Sequence, residues 1–306
     1  MHIVFDRPRR SLADLIGLFA LPMLVAALPW PVGLALLRQV AQRAPTFRVE
    51  ADAAWQVARD QAGGIAEADW KWRYRLIRWI ERADTWLTLT RSAAWWRRHV
   101  DVSGEFPAAD RGWLLLTFHW GAGNWVWKLL REHGIAAHFL ARRPGASDFG
   151  MSRVALRYGR LRGWAFARIG SLGPLYTGGS VGRIERAWRR GESVVAMLDL
   201  PVDATQPTCR VDLLGRVARL PSRLPALAAS HAVPTTILSC GFDIHSGRRT
   251  LRMERVPESA DVASMLARYA AHLDARLRAQ PEFWIMWHET PSMFVGANAP
   301  RAAGMP

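Results

Sequence analysis

The chain has 306 residues and half of them are hydrophobic, which allows a substantial core and excludes a globally disordered protein. Its formal net charge of +15 and sequence pI of about 11.3 favour anionic partners: nucleic acid, an anionic membrane or acidic substrates. Sixteen tryptophans tip that choice toward a membrane surface and away from nucleic acid, because indole joins an apolar body to one polar N–H.

The first 45 residues form a membrane-associating segment in this reading. Leu15–Leu37 is an uncharged stretch of 23 positions, long enough to span a bilayer at ~20 residues. Pro22, Pro29 and Pro31 interrupt it, so the expectation is a kinked helix or a short helical hairpin lodged in one leaflet. No small-residue cleavage site marks it as a signal peptide. Arg7, Arg9 and Arg10 precede it and Arg38 and Arg43 follow it, so charge does not fix an orientation.

Residues 46–100 read as a basic, tryptophan-rich helical region, with helices predicted over Ala51–Ala62 and Trp70–Val100. The second carries Lys71 and seven arginines among six tryptophans. It can lie in a headgroup layer, or it can pack a tryptophan face into a core beneath a solvated arginine face.

From 101 to 295 the pattern alternates. Strands are predicted at Trp113–Phe118, Ala136–Ala141, Ser193–Leu198, Thr208–Leu214, Thr235–Phe242 and Thr250–Val256. Helices are predicted at Asn124–His133, Asp148–Arg160, Gly182–Arg190, Ser222–His231 and Ala260–Ala279. This order implies an α/β fold with a mixed, mainly parallel sheet flanked by helices. Residues 296–306 read as a loose tail. Cys209 and Cys240 lie in strand-like segments without metal-ligand spacing, so they read as buried reduced thiols, with a disulfide between them as the alternative. No metal site or nucleotide phosphate loop is predicted.

The chemistry concentrates where the strand Trp113–Phe118 ends in His119. Residues just past a strand end line the ligand crevice of an open α/β sheet. A histidine there can take a proton from a hydroxyl near neutral pH. Trp120 follows, and Gly121, Ala122 and Gly123 leave room for a substrate beside the backbone.

The stretch Gly112–Trp125 (GWLLLTFHWGAGNW) resembles the first block of the lysophospholipid and lipid A acyltransferase superfamily. Further blocks follow in order. Arg142, Arg143 and Pro144 resemble the second, Gly191–Asp199 the third, Leu214–Pro221 the fourth, and Pro281–His288 the closing signature of the late acyltransferases of lipid A biosynthesis.

The resemblance implies O-acyl transfer with His119 as general base. The donor would be an acyl thioester of acyl carrier protein or coenzyme A, with no further cofactor. The acceptor would be a lipid or glycolipid hydroxyl at the cytoplasmic face of the bacterial inner membrane. It also implies substrate contacts from Trp120, Gly121, Gly123, Arg142, Arg143, Gly215 and Arg216, although a solvated loop pair at 142–143 and a plain turn at 215–216 are the alternatives. His288 is expected to pack structurally.

The chain departs from the pattern at Asn124, where the family places the carboxylate that orients the histidine. An amide brings no negative charge to stabilise imidazolium. Three outcomes stay open. Asp199 or Glu289 takes the carboxylate role; the enzyme is slow or uses a more acidic acceptor such as a phenol, as a divergent member serving a specialised lipid with an aryl-polyene-type acyl donor would; or the chain binds acyl lipid or acyl carrier protein without catalysis.

Overall fold

The computed structural model describes residues 12–142, 153–202 and 206–295. Arg7, Arg9, Arg10, Arg143, Pro144 and the tail 296–306 lie outside the described residues.

The uncharged N-terminal stretch forms a π-helical turn, Ile16–Ala20, that runs into helix α1, Leu21–Ala27. Leu28 and Pro29 are extended, and helix α2 follows as Trp30–Arg43. Pro31 stands in the first turn of α2, where a missing N–H removes no intrahelical bond, whereas Pro22 lies inside a continuous helical run just after the π-helical turn. The break at Leu28 and Pro29 turns the segment into a hairpin. Gly33 lets the two helices close, because a Cβ there would lie 3.1 Å from the Val25 side chain. Among the described residues no helix is long and apolar enough to cross a membrane.

Helices α3 (Arg48–Ala58), α4 (Glu67–Thr90) and α5 (Ala93–His99) follow. The single helix predicted over Trp70–Val100 breaks at Arg91, which is extended. Ser92 then caps α5 by accepting the Trp95 N–H at 3.2 Å. Trp70, Trp79 and Trp96 are buried, while Trp72, Trp86 and Trp95 are half-buried against the same core. The tryptophan face is thus a packing face.

The main sheet has seven strands in the order β1-β9-β8-β2-β5-β3-β4. These are β1 (Val100–Ser103), β2 (Leu114–Thr117), β3 (Ala137–Ala141), β4 (Ser171–Tyr176), β5 (Ser193–Met197), β8 (Thr235–Phe242) and β9 (Arg249–Arg255). All neighbours are parallel except β8 and β9. The helices α6 (Val126–Glu132), α7 (Arg153–Ile169), α8 (Val181–Arg189) and α9 (Arg223–Ser230) connect the strands, and α10 (Val262–Ala279) follows the last of them. A separate antiparallel pair, β6 (Thr208–Leu213) and β7 (Arg216–Pro221), is joined by Leu214 and Gly215. Both of these have positive φ, as a tight hairpin turn requires.

Strands β1, β4 and β7 do not follow from the sequence pattern. In β4, Gly173 and Pro174 are poor strand formers, tolerated because β4 is the sheet edge. The central strands, covered on both faces, are the continuous apolar runs that the sequence does announce.

One buried ion pair ties the helices to the sheet. Arg249 on β9 donates to Asp84 on α4, and both side chains are fully buried. The guanidinium lies 4.3 Å from the ring of Trp30 and 5.2 Å from that of Trp96, with Trp95 and Phe242 also around it. Removing one member leaves the other charge stranded in the core. Arg249→Leu is expected to destabilise the fold by about 3–5 kcal/mol, measured by urea unfolding; a change under about 1 kcal/mol would contradict this role.

Candidate active site

Strands β2 and β5 are parallel neighbours in a register that pairs Thr117 with Met197. Two residues beyond each, on the same face of the sheet, stand His119 and Asp199. After β2 the chain moves toward β3, and after β5 it moves to β8 on the other side of β2. Both residues thus stand just past the carboxyl ends of two neighbouring parallel strands, the position at which open α/β sheets take their ligands.

Asp199 is fully buried. Its Oδ2 accepts the His119 backbone N–H at 2.8 Å and the Trp284 indole N–H at 2.8 Å. Its Oδ1 lies 3.0 Å from His119 Nδ1. An ionised carboxylate only accepts, so Nδ1 carries the proton and Nε2 holds the lone pair. No hydrogen bond from the described residues occupies Nε2, and about a quarter of the side chain is exposed (24%). Burial pushes the His119 pKa down, but the Asp199 charge and hydrogen bond more than offset it. The net result lies above the ordinary histidine value.

The backbone around His119 is locked. Its carbonyl accepts the Ile285 N–H at 3.0 Å, and the Gly121 N–H donates to the Phe283 carbonyl at 2.9 Å. Gly121 has φ of 76°, and a Cβ on it would lie 1.9 Å from the Cys240 carbonyl oxygen. Its role is therefore close backbone contact. Gly123 likewise packs on Cys240, and the Trp120 indole donates to the Gln280 carbonyl at 3.0 Å inside the core. Tyr269 spans the two strand ends. Its hydroxyl donates to the Thr117 carbonyl at 2.8 Å and accepts the Leu198 N–H at 3.0 Å.

Asn124 stands apart from the imidazole. Its amide donates to the Glu81 carbonyl at 3.2 Å and to the Thr85 hydroxyl at 3.4 Å, and its Oδ1 accepts from Arg162 at 2.9 Å. Of the two carboxylates expected as substitutes, Asp199 reaches the ring. Glu289 is half-exposed and lies 3.6 Å from His288, which is itself on the surface and not packed. Arg142 is exposed at the end of β3. Gly215 and Arg216 sit at the β6–β7 hairpin, with the Arg216 guanidinium over the Phe294 ring at 4.1 Å.

Cys209 and Cys240 are unbonded. Cys240 is buried as expected, with its thiol pushed up to about 12, and Cys209 is half-exposed.

Trp284, Tyr269 and Glu81 carry no assignment from the sequence, and Arg162, expected only to be solvent-exposed, is bonded to Glu81 and Asn124. Trp284 belongs to the closing signature and could have been found there. The other three carry no spacing signal.

No protein-family model and no curated protein matches the chain. Among solved structures it is similar to the 1-acyl-sn-glycerophosphate (LPA) acyltransferase PlsC from Thermotoga maritima, at 16% identity and a TM-score of 0.37, covering 82% of this chain and 97% of that one. So distant a likeness carries no residue role to this chain.

The Asp199 carboxylate depends on its donors, so Trp284→Phe removes one and leaves the charge under-bonded. The expected cost is about 1–3 kcal/mol in urea unfolding; an unchanged midpoint would show that the indole contact is idle.

Proposed function

We propose that the chain is a membrane-associated O-acyltransferase with His119 as general base. The observation that carries this reading is the Asp199–His119 pair at the crevice, 3.0 Å apart, with Nε2 unoccupied by the described residues. The acceptor hydroxyl gives its proton to Nε2 as its oxygen attacks the carbonyl carbon of an acyl thioester. Asp199 stabilises the imidazolium that forms. The tetrahedral intermediate collapses, the thiolate leaves, and it takes the proton back from His119. No residue is acylated.

The donor in this reading is acyl carrier protein or acyl-coenzyme A, whose negative charge suits the chain's excess of arginine. The acceptor is a lipid or glycolipid hydroxyl, and assembly of a specialised lipid such as an aryl-polyene-type pigment, with an aryl-polyene chain as donor, falls within the same reading. The lipid A late-acyltransferase type, the substrate contacts from Trp120, Gly121, Gly123, Arg142, Arg143, Gly215 and Arg216, and a place at the cytoplasmic face of a bacterial inner membrane belong to the same proposal. Non-catalytic binding of an acyl lipid or acyl carrier protein is the alternative, and the presence of a complete base–carboxylate pair favours catalysis.

The N-terminal hairpin supports the membrane part. It exposes Leu12, Leu15, Ile16, Met23, Leu24 and Val32. Helix α7 packs against it through Tyr158 and Ala155 and exposes Trp164 beside Arg157, Arg160 and Arg168. Apolar side chains flanked by cations suit an anionic bilayer surface. Replacing Met23 and Leu24 together by Glu is expected to weaken co-sedimentation with phosphatidylglycerol vesicles by about tenfold. Unchanged partitioning would remove the hairpin from the interface.

Turnover of an acyl thioester with a lipid acceptor should fall by roughly 10²–10⁴-fold in His119→Ala; equal turnover would refute the assignment. The neutral ring is the base, so kcat falls as pH drops through its raised pKa. In Asp199→Asn the carboxylate's contribution is lost while burial remains. The acid limb then moves to lower pH and kcat also falls.

A further inference from the structure

Beside His119 lies a cluster that the base–carboxylate pair does not use. Arg78, Glu81, Arg82 and Thr85 follow the i, i+3, i+4, i+7 spacing of one face of α4. Arg162 comes from α7 and Asn124 from the loop before α6. Glu81 accepts from Arg162 at 2.8 Å and from Arg78 at 3.3 Å, and Arg162 also donates to the Asn124 amide oxygen at 2.9 Å. The Tyr158 hydroxyl donates to Thr85 at 3.2 Å on the edge of the same group.

Three guanidinium groups face one carboxylate, so the cluster carries excess positive charge. Arg162 spends one nitrogen, Nη2, on both of its acceptors, and its Nε is buried with no protein partner. A buried donor without an acceptor costs stability unless a ligand or water completes it. The side chains of Arg78 and Arg162 stay 25% and 37% exposed, so the cluster is open to solvent. It is also near the base: both Glu81 and Arg78 influence the His119 ring electrostatically.

We propose that Asn124 is a positioning residue that holds the Arg162 guanidinium, together with Arg78, as a subsite for a phosphate or carboxylate group of the substrate beside His119. The neutral amide matters. It fixes Arg162 by one hydrogen bond without neutralising it. A carboxylate at 124 would take the guanidinium as a closed ion pair and repel an incoming anion. The inference rests on the acyltransferase reading only for what the anion is attached to; the subsite itself is testable without turnover.

The test is calorimetric titration of the full chain with dodecyl phosphate as a lipid-headgroup probe, coenzyme A as a donor probe, and 1-monolauroylglycerol as the uncharged control. Arg162→Gln, Arg78→Gln and Asn124→Asp are each expected to weaken an anionic probe by about 10- to 100-fold and leave the uncharged control unchanged. Arg162→Lys should recover part of the loss. Weakening of dodecyl phosphate places the anion on the acceptor, and weakening of coenzyme A places it on the donor. Either outcome supports the subsite. Unchanged affinity for both anions in all three variants, with melting temperatures showing them folded, overturns it, and so does tighter anion binding in Asn124→Asp.

If Arg162→Gln does not fold, Arg78→Gln alone decides, since its side chain bonds only within α4. His119→Ala separates the two readings. It should abolish turnover while leaving dodecyl phosphate affinity intact, so loss of the subsite and loss of the base register in different assays.

Discussion

A single buried carboxylate organises the carboxyl end of the sheet around His119. Asp199 has no contact with water, so its charge must be satisfied by protein donors or the loop after β5 could not stay where it is. The donors come from far along the chain: the backbone N–H and ring of His119, 80 residues before it, and the indole of Trp284, 85 residues after it. Meeting this requirement brings two strand ends and the closing segment together. The bridge from residues 119–121 to 283–285 and the Tyr269 hydroxyl across the strand ends reinforce the same geometry. The imidazole is thereby fixed in orientation and tautomer.

Helix α4 carries that rigidity outward. Its Asp84 binds Arg249 inside the tryptophan box that joins the N-terminal hairpin to the sheet. Glu81 and Thr85, on the adjoining face, contact Asn124 just past His119. A helix fixed by a buried ion pair on one side presents charged groups to the crevice on the other. This is why the helices before β1 share one continuous buried cluster with the α/β sheet.

The departure at Asn124 follows from this arrangement. With Asp199 already bonded to Nδ1, the ring has no need of a second carboxylate there. Residue 124 sits where α4 and α7 meet, and its neighbours are a glutamate and an arginine, for which an amide can act as donor and acceptor at once.

Local pattern alone determined much of this protein. Continuous apolar runs announced the central strands, the helix-period faces announced α8 and α10, and the WLLLTFH stretch placed a histidine at a strand end, because each depends only on neighbours in sequence. What sequence could not settle were matters of partnership. Strand β4, with its glycine and proline, exists because β3 offers it an edge. Asp199 rather than Glu289 meets His119 because β2 and β5 pair in parallel in one particular register. The role of Asn124 turned on which helices lie against it. Hydrogen bonds and charges act across space, so which groups they join is decided only when the chain is packed.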